Sequence, residues 1–268
     1  MEQIEVGGRH VAFRRAGSGP AVVLLHGGVC DGRVWREQLE SLADRYTVVV
    51  WDAPGCGGSA DPPETFRLPD YADCLAALVD ALGLERPAIV GHSWGSGLAL
   101  ELYRRHPALP GSLVLVGGYA GWAGSLPADE VERRLRFALE VAGLPPGAFD
   151  PTSMPGLFSP LIPTERHAEL VAIMRDIRPA GTRAMAHAFA EADLRDVLAT
   201  VDVPTLELHG ADDARSSLDV ARALHSAIPG SELVVLPGLG HEPYLEDPEA
   251  FEAELVRFLN DVVGVNRD

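Results

Sequence analysis

The chain predicts an α/β fold: a mostly parallel, eight-stranded sheet with helices on both faces. Three observations carry this expectation. Short runs of β-branched and aliphatic residues alternate with helical segments, as parallel strands joined by crossover helices require. The pentapeptide Gly91-His92-Ser93-Trp94-Gly95 lies between the apolar run Pro87-Ala88-Ile89-Val90 and the helix-forming run Leu98-Ala99-Leu100-Glu101-Leu102, which is a strand-to-helix turn built around a serine. At 268 residues, 47% of them hydrophobic, the chain can bury one sizeable core.

Each element follows in order. Gly7-Gly8 turns strands near 3–6 and 10–15 into an antiparallel hairpin. Ala21-Val22-Val23-Leu24-Leu25 is a buried strand, followed by a helix near 33–42 and the strand Thr47-Val48-Val49-Val50-Trp51. A helix from about 70 to 82 leads to the strand before Gly91. The next helix stops near His106-Pro107, because proline cannot continue it, and a strand over 112–116 follows. A strand over 203–208, a helix near 217–227, a strand over 233–236 and a helix near 248–262 complete a core made of residues 1–120 and 201–268. Between about 121 and 200 the strand-like runs stop. Helical segments are predicted at 129–142, 164–177 and 181–192, the first two separated by a proline-rich connection over 145–163.

The serine turn has the form of a nucleophile elbow. Glycines two residues either side let strand and helix approach while the serine hydroxyl projects above the sheet. A serine hydroxyl is a poor nucleophile near neutral pH, so it needs a base, an acid to orient that base, and donors for a developing oxyanion. His241, in Leu239-Gly240-His241-Glu242-Pro243, follows the strand Leu233-Val234-Val235-Leu236, at the carboxyl end where catalytic groups of open α/β sheets collect. An acid stands in Gly210-Ala211-Asp212-Asp213, after another apolar run. The backbone N–H groups of Trp94 and of Gly28, in His26-Gly27-Gly28-Val29, are the candidate oxyanion donors.

With these residues in place the chain resembles the α/β-hydrolase family over most of its length. The likeness rests on the elbow, the His26-Gly27-Gly28 loop, the turn Asp52-Ala53-Pro54-Gly55-Cys56-Gly57-Gly58-Ser59, the turn ending at Asp213, and Gly240-His241 followed by Glu246-Asp247-Pro248. The resemblance implies the order Ser, Asp, His, and an acid three residues after the turn glycine, hence Asp213 over Asp212. It also makes 121–200 a helical cap over Ser93, with Phe137, Met154, Phe158, Met174, Met185 and Phe189 as the candidate walls of an apolar pocket. Arg175, Arg178 and Arg183 of that segment are candidate carboxylate ligands, with a solvated surface as the plainer expectation.

Some relatives are excluded by the same residues. Epoxide hydrolases and haloalkane dehalogenases carry an aspartate where Ser93 stands, and no tyrosine occurs between 121 and 200. The proline iminopeptidase pattern is broken at Val29-Cys30. Glu242, in place of the tryptophan that follows the histidine in meta-cleavage C–C hydrolases, weakens that reading without removing it. His26, His92 and His209 are expected to hydrogen-bond neighbouring loops, Asp52 to cap its own turn, and Glu242 and Glu246 to serve the loop and helix start around them.

A net charge of −17, with 22 basic residues that are all arginine, argues against nucleic acid and anionic membrane partners. No apolar stretch of membrane-spanning length occurs, the start is acidic, and the three cysteines show no metal or disulfide spacing, so a cytoplasmic location is expected. The expected function is a serine hydrolase, needing no metal or organic cofactor, that cleaves a carboxylic ester of a small or medium apolar acid. Lactone, perhydrolase or C–C bond hydrolysis on the same residues, and a ligand receptor with vestigial turnover, are the alternatives. Oligomeric state is not legible.

Overall fold

A computed structural model describes residues 1–145 and 147–263; residue 146, within the proline-rich connection, and the chain after 263 lie outside the described residues. Strands β1 (Glu2–Val6) and β2 (Arg9–Ala16) form the expected hairpin, with Gly7 and Gly8 at φ +57° and +74°. Six further strands follow: β3 (Ala21–Leu25), β4 (Thr47–Trp51), β5 (Ala88–His92), β6 (Ser112–Val116), β7 (Thr205–Gly210) and β8 (Glu232–Leu236). They lie in one eight-stranded sheet ordered β1-β2-β4-β3-β5-β6-β7-β8, antiparallel at the hairpin edge and parallel from β4 onward. β4, β5 and β6 are buried along their whole length, which is why they read as unbroken apolar runs rather than alternating ones.

Alternate residues of these strands feed two cores. On one face Val23, Val49, Ile89 and Leu113 meet α2 (Leu68–Ala81), α3 (Trp94–Arg105) and, further along, α9 (Leu218–Ala227). On the other Val22, Val48, Val90 and Val114 meet Trp35, Tyr244 and the helix α11 (Pro248–Val263), with Trp35 stacked on Tyr244 at 4.2 Å between ring centres. Trp35 ends a 3₁₀ turn (Gly32–Trp35) capped by the Asp31 carboxylate, and α1 (Arg36–Ser41) continues it. The single helix expected over 33–42 is therefore two pieces. α2 begins two residues earlier than expected because Pro69 is favoured in a first turn and Asp70 caps the Arg67 amide.

Between β6 and β7 the chain is helical: α4 (Trp122–Ser125), α5 (Ala128–Ala142), α6 (Thr164–Arg175), α7 (Pro179–Glu191) and α8 (Arg195–Leu198). The three long helices match the sequence pattern. α4, α8 and a further turn, α10 (Pro243–Glu246), are single turns too short to show a period. α7 reaches the β4 side through Gly181, where an added Cβ would stand 2.2 Å from the Gly55 carbonyl oxygen.

The tightest constraint is at the β5–α3 turn. A Cβ on Gly91 would lie 2.2 Å from the Gly95 oxygen, and one on Gly95 would lie 2.6 Å from the Leu25 oxygen. Both obstacles are backbone, which cannot swing away. Gly91→Ala is expected to cost about 1–3 kcal/mol of stability, the range for overpacking, measured by denaturant or thermal unfolding. An unchanged midpoint would contradict this close approach.

Candidate active site

Ser93 stands at the turn with φ +51° and ψ −110°, a conformation L-residues rarely adopt. Its neighbours hold it there. The Ser93 amide donates to the Val116 carbonyl (2.8 Å), the Ser96 hydroxyl donates to the Ser93 carbonyl (2.5 Å), and the Tyr119 amide donates to that same hydroxyl (3.0 Å). Residues from β5, α3 and the end of β6 thus fix one backbone unit. Trp94 opens α3, so its N–H is one of the first-turn donors a helix leaves unpaired. Gly28 follows β3 and packs against it, its missing Cβ falling 4.0 Å from the Trp94 Cβ.

His241 and Asp213 come from loops after β8 and β7. His241 Nδ1 donates to Asp213 Oδ2 at 2.8 Å, and both side chains are buried. The other carboxylate oxygen, Oδ1, accepts the Arg215 and Ser216 amides, each at 2.8 Å. Burial alone would raise the Asp213 pKa, but the His241 charge and these hydrogen bonds outweigh it and bring the carboxyl down to about 2. An ionised Asp213 only accepts, so Nδ1 carries the hydrogen and, in the neutral imidazole, Nε2 keeps a lone pair. Asp212, the rejected alternative, is exposed.

The other flagged residues brace these loops. His92 Nε2 donates to the His241 carbonyl (2.9 Å), and burial pulls the His92 pKa down to about 4. The Glu246 carboxylate accepts the Gly240 amide (2.6 Å) and the Glu242 amide (3.2 Å), clamping the chain on either side of His241. His209 Nε2 donates to the Ser216 carbonyl (2.9 Å), and His26 Nε2 accepts the Ala53 amide (3.0 Å). Asp52 accepts the Gly32 and Gly58 amides at 3.0 and 2.8 Å, as a turn-capping role requires. His92, His241 and Glu242 gather ligand atoms within 4.8 Å of one another, but His92 Nε2 turns a proton rather than a lone pair toward the group. All three cysteines are free and buried, and burial pushes their thiols up, Cys74 to about 11, which makes them poor nucleophiles.

A cavity of about 300 Å³ opens above Ser93 and His241, walled by Gly28, Trp94 and residues of the β6–β7 helical segment. Of the six candidate pocket residues, Phe137, Met154, Met185 and Phe189 line it. Phe158 and Met174 do not. Phe158 packs against the His167 ring at 4.7 Å, and Met174 is buried in the second core on the face of α6 shared with Leu170. The three candidate arginines also lie elsewhere: Arg178 pairs with Asp61 (3.0 Å), Arg183 donates to the Ala142 carbonyl (3.2 Å), and Arg175 borders a separate small hollow beside Phe149.

Sequence reasoning missed the polar part of this wall. Tyr119, Arg134, Arg215 and Glu242 line the cavity, the first just ahead of the segment searched for tyrosines. The Tyr119 hydroxyl donates to the Arg215 carbonyl and accepts from Arg134 (3.0 Å), while the buried Glu242 accepts the Tyr244 hydroxyl (2.5 Å). Glu242 was expected to serve only its loop, and it stands in the cavity wall as well. The ion pairs on α5 are legible as the i, i+3 and i, i+4 spacing of Glu130 with Arg133 and Arg134, but the direction in which they face is not.

A serine at a strand-to-helix turn shares a cavity wall with a histidine bonded to an aspartate, on an eight-stranded sheet of this order, and that arrangement fits the α/β class of hydrolases. The alpha/beta hydrolase family model matches residues 22–254, and the chain belongs to that family. It is 31% identical to an uncharacterized protein of Mycobacterium tuberculosis over 95% of this chain and 80% of that one. It is also 31% identical to RutD of Caulobacter sp. (strain K31), a candidate carbamate hydrolase, over 92% of this chain and 95% of the relative. Among solved structures, a malate-bound thermophilic esterase from Thermogutta terrifontis superposes with a TM-score of 0.88 at 29% identity, covering 98% of this chain and 99% of that one. The protein is an alpha/beta hydrolase enzyme.

Two outcomes follow from the geometry. Asp213→Asn is expected to lower turnover by about 10⁴, the effect of losing the orienting acid in a serine protease, while the exposed Asp212→Asn changes it little; the reverse ranking in steady-state assays would mean that the bonded pair is not the working one. The acid limb of kcat/KM is expected to carry a slope of one down to about pH 5, because His92 is held near 4 and Asp213 near 2, so neither adds a proton above that pH. A slope of two there would show a second group titrating.

Proposed function

We propose that the protein is a serine hydrolase that cleaves carboxylic esters of small or medium apolar acids through an acyl-enzyme. The single observation that carries this reading is the His241–Asp213 bond, which leaves the His241 Nε2 lone pair in the same cavity wall as the strained Ser93. Ser93 Oγ attacks the ester carbonyl as His241 takes its proton. Asp213 holds the imidazole tautomer and balances the imidazolium charge. The Gly28 and Trp94 N–H groups receive the oxyanion, and His241 then protonates the departing alcohol. Water activated by the same histidine attacks the acyl carbonyl and frees Ser93.

In this reading residues 121–200 act as the cap that excludes bulk water and sets substrate size. Support comes from the cavity, whose volume is at the small end for a ligand site and whose wall is largely apolar through Phe137, Met185 and Phe189. The Thermogutta terrifontis protein's description as an esterase points the same way. A cytoplasmic location belongs to the same proposal, and the free, buried cysteines support it by fitting a reducing compartment. Among the described residues no helix is long and apolar enough to cross a membrane.

Ser93→Ala is expected to lower kcat by about 10⁶ and to abolish labelling by a fluorophosphonate probe, with circular dichroism unchanged. Label retained on that variant would locate the nucleophile elsewhere. Many turnovers per molecule with short-chain nitrophenyl esters support the enzyme, whereas a single slow turnover with tight product retention would make the protein a receptor.

A further inference from the structure

The chain carries 39 acidic residues against 22 arginines, yet the wall of the cavity above Ser93 reverses that balance. Arg133, Arg134 and Arg215 line it, against Glu130 and Glu242. Arg133 and Arg134 share Glu130, their guanidinium groups each 2.6 Å from the same oxygen. Arg215 differs. Its guanidinium donates to the Pro155 carbonyl (3.1 Å), and among the described residues no carboxylate stands within the 4.0 Å of an ion pair.

That is an unusual place for an unpaired cation. Its backbone is fixed, since the Arg215 amide caps Asp213 and the Arg215 carbonyl accepts both the Tyr119 hydroxyl and Arg134 (2.8 Å). The side chain therefore leaves from a rigid point two residues after the acid that orients His241. Burial holds the Arg215 guanidinium below the ordinary arginine range, whereas a carboxylate partner raises Arg33, Arg36 and Arg133 above it. Asp213 and Glu242 act on Arg215 only at longer range than an ion pair. A half-desolvated guanidinium with no carboxylate at contact is costly, and a ligand carboxylate can remove that cost through a two-pronged contact.

We infer that Arg215, backed by Arg134, is a binding site for a substrate carboxylate, so that the preferred substrates are monoesters of short dicarboxylic acids or similar esters bearing one carboxylate. This rests on the ester-hydrolase reading and narrows it. The apolar wall at Phe137, Met185 and Phe189 receives the methylene chain, and the anion is placed at the Arg215 end. The three wall arginines oppose the repulsion that a carboxylate meets from a chain of charge −17.

The test compares mono-4-nitrophenyl esters of succinic, glutaric and adipic acid with their neutral methyl diesters. The wild-type protein is expected to show a kcat/KM at least about tenfold higher for the acid of one pair, mostly through KM. Arg215→Gln is expected to lower that acid-to-neutral ratio by about 10- to 100-fold, the scale of a hydrogen-bonded charge pair. Arg215→Lys, which keeps the charge without the fork, should retain part of the preference and supplies the readout if the glutamine variant does not fold. No preference in any pair, or a parallel loss for acid and neutral esters, would overturn the assignment, the latter by showing that Arg215 only braces the Asp213 loop. If no ester is turned over at all, the hydrolase reading fails, and calorimetric titration with glutarate decides the site: saturable binding lost in Arg215→Gln upholds it, and no binding refutes it.

Discussion

The contact between β5 and α3 fixes the serine around which the rest of the candidate site is arranged. The strand ends and the helix begins within four residues, so backbone lies against backbone at Gly91 and Gly95, and Ser93 is forced to φ +51°. A non-glycine residue in such a conformation costs on the order of 1–3 kcal/mol and persists only where its surroundings leave no alternative. Here the surroundings are the Val116 carbonyl, the Ser96 hydroxyl and a fully buried β5. The sheet's packing thus sustains a strain that local sequence alone would relieve.

The same logic extends to the two loops facing the elbow. Parallel strands all end on one side, so the residues after β3, β5, β7 and β8 meet above that edge although they lie far apart in sequence. Each loop is held by buried hydrogen bonds: Glu246 across the His241 segment, Ser216 on Asp213, and His92 on the His241 carbonyl. Asp52, at the end of β4, shows how the same residue type in the same kind of loop can be wholly structural. It accepts two backbone amides and Arg14 (3.2 Å) and orients no histidine side chain.

Charge is distributed with equal asymmetry. Most arginines sit at the surface in ion pairs with neighbouring acids, such as Arg105 with Asp73 and Arg257 with Glu232, where each pair adds little to stability. The cavity wall concentrates cations instead, and it does so from two elements, α5 and the loop after β7, which the Tyr119 hydroxyl on the segment leading out of β6 ties together.

The sequence by itself determined the layered α/β arrangement, because buried parallel strands must be continuous apolar runs; Thr47–Trp51 and Ser112–Val116 were legible to the residue for that reason. It also exposed the elbow, whose glycines and serine are required locally, and the candidate histidine and acid, which stand at the ends of recognisable strands. Tertiary structure decided the rest. Only the fold brings Asp213 rather than its neighbour to 2.8 Å from His241, and only packing turns Phe137 into the cavity while Met174 enters a core, since an apolar residue on a helix does not specify which apolar neighbour it will meet. Arg215 and Tyr119 carry no local signal, and the spacing of Arg134 from Glu130 does not say what Arg134 faces. Their meeting depends on where α5 and the loop after β7 come to rest, and that is set by the burial of surfaces contributed from the whole chain.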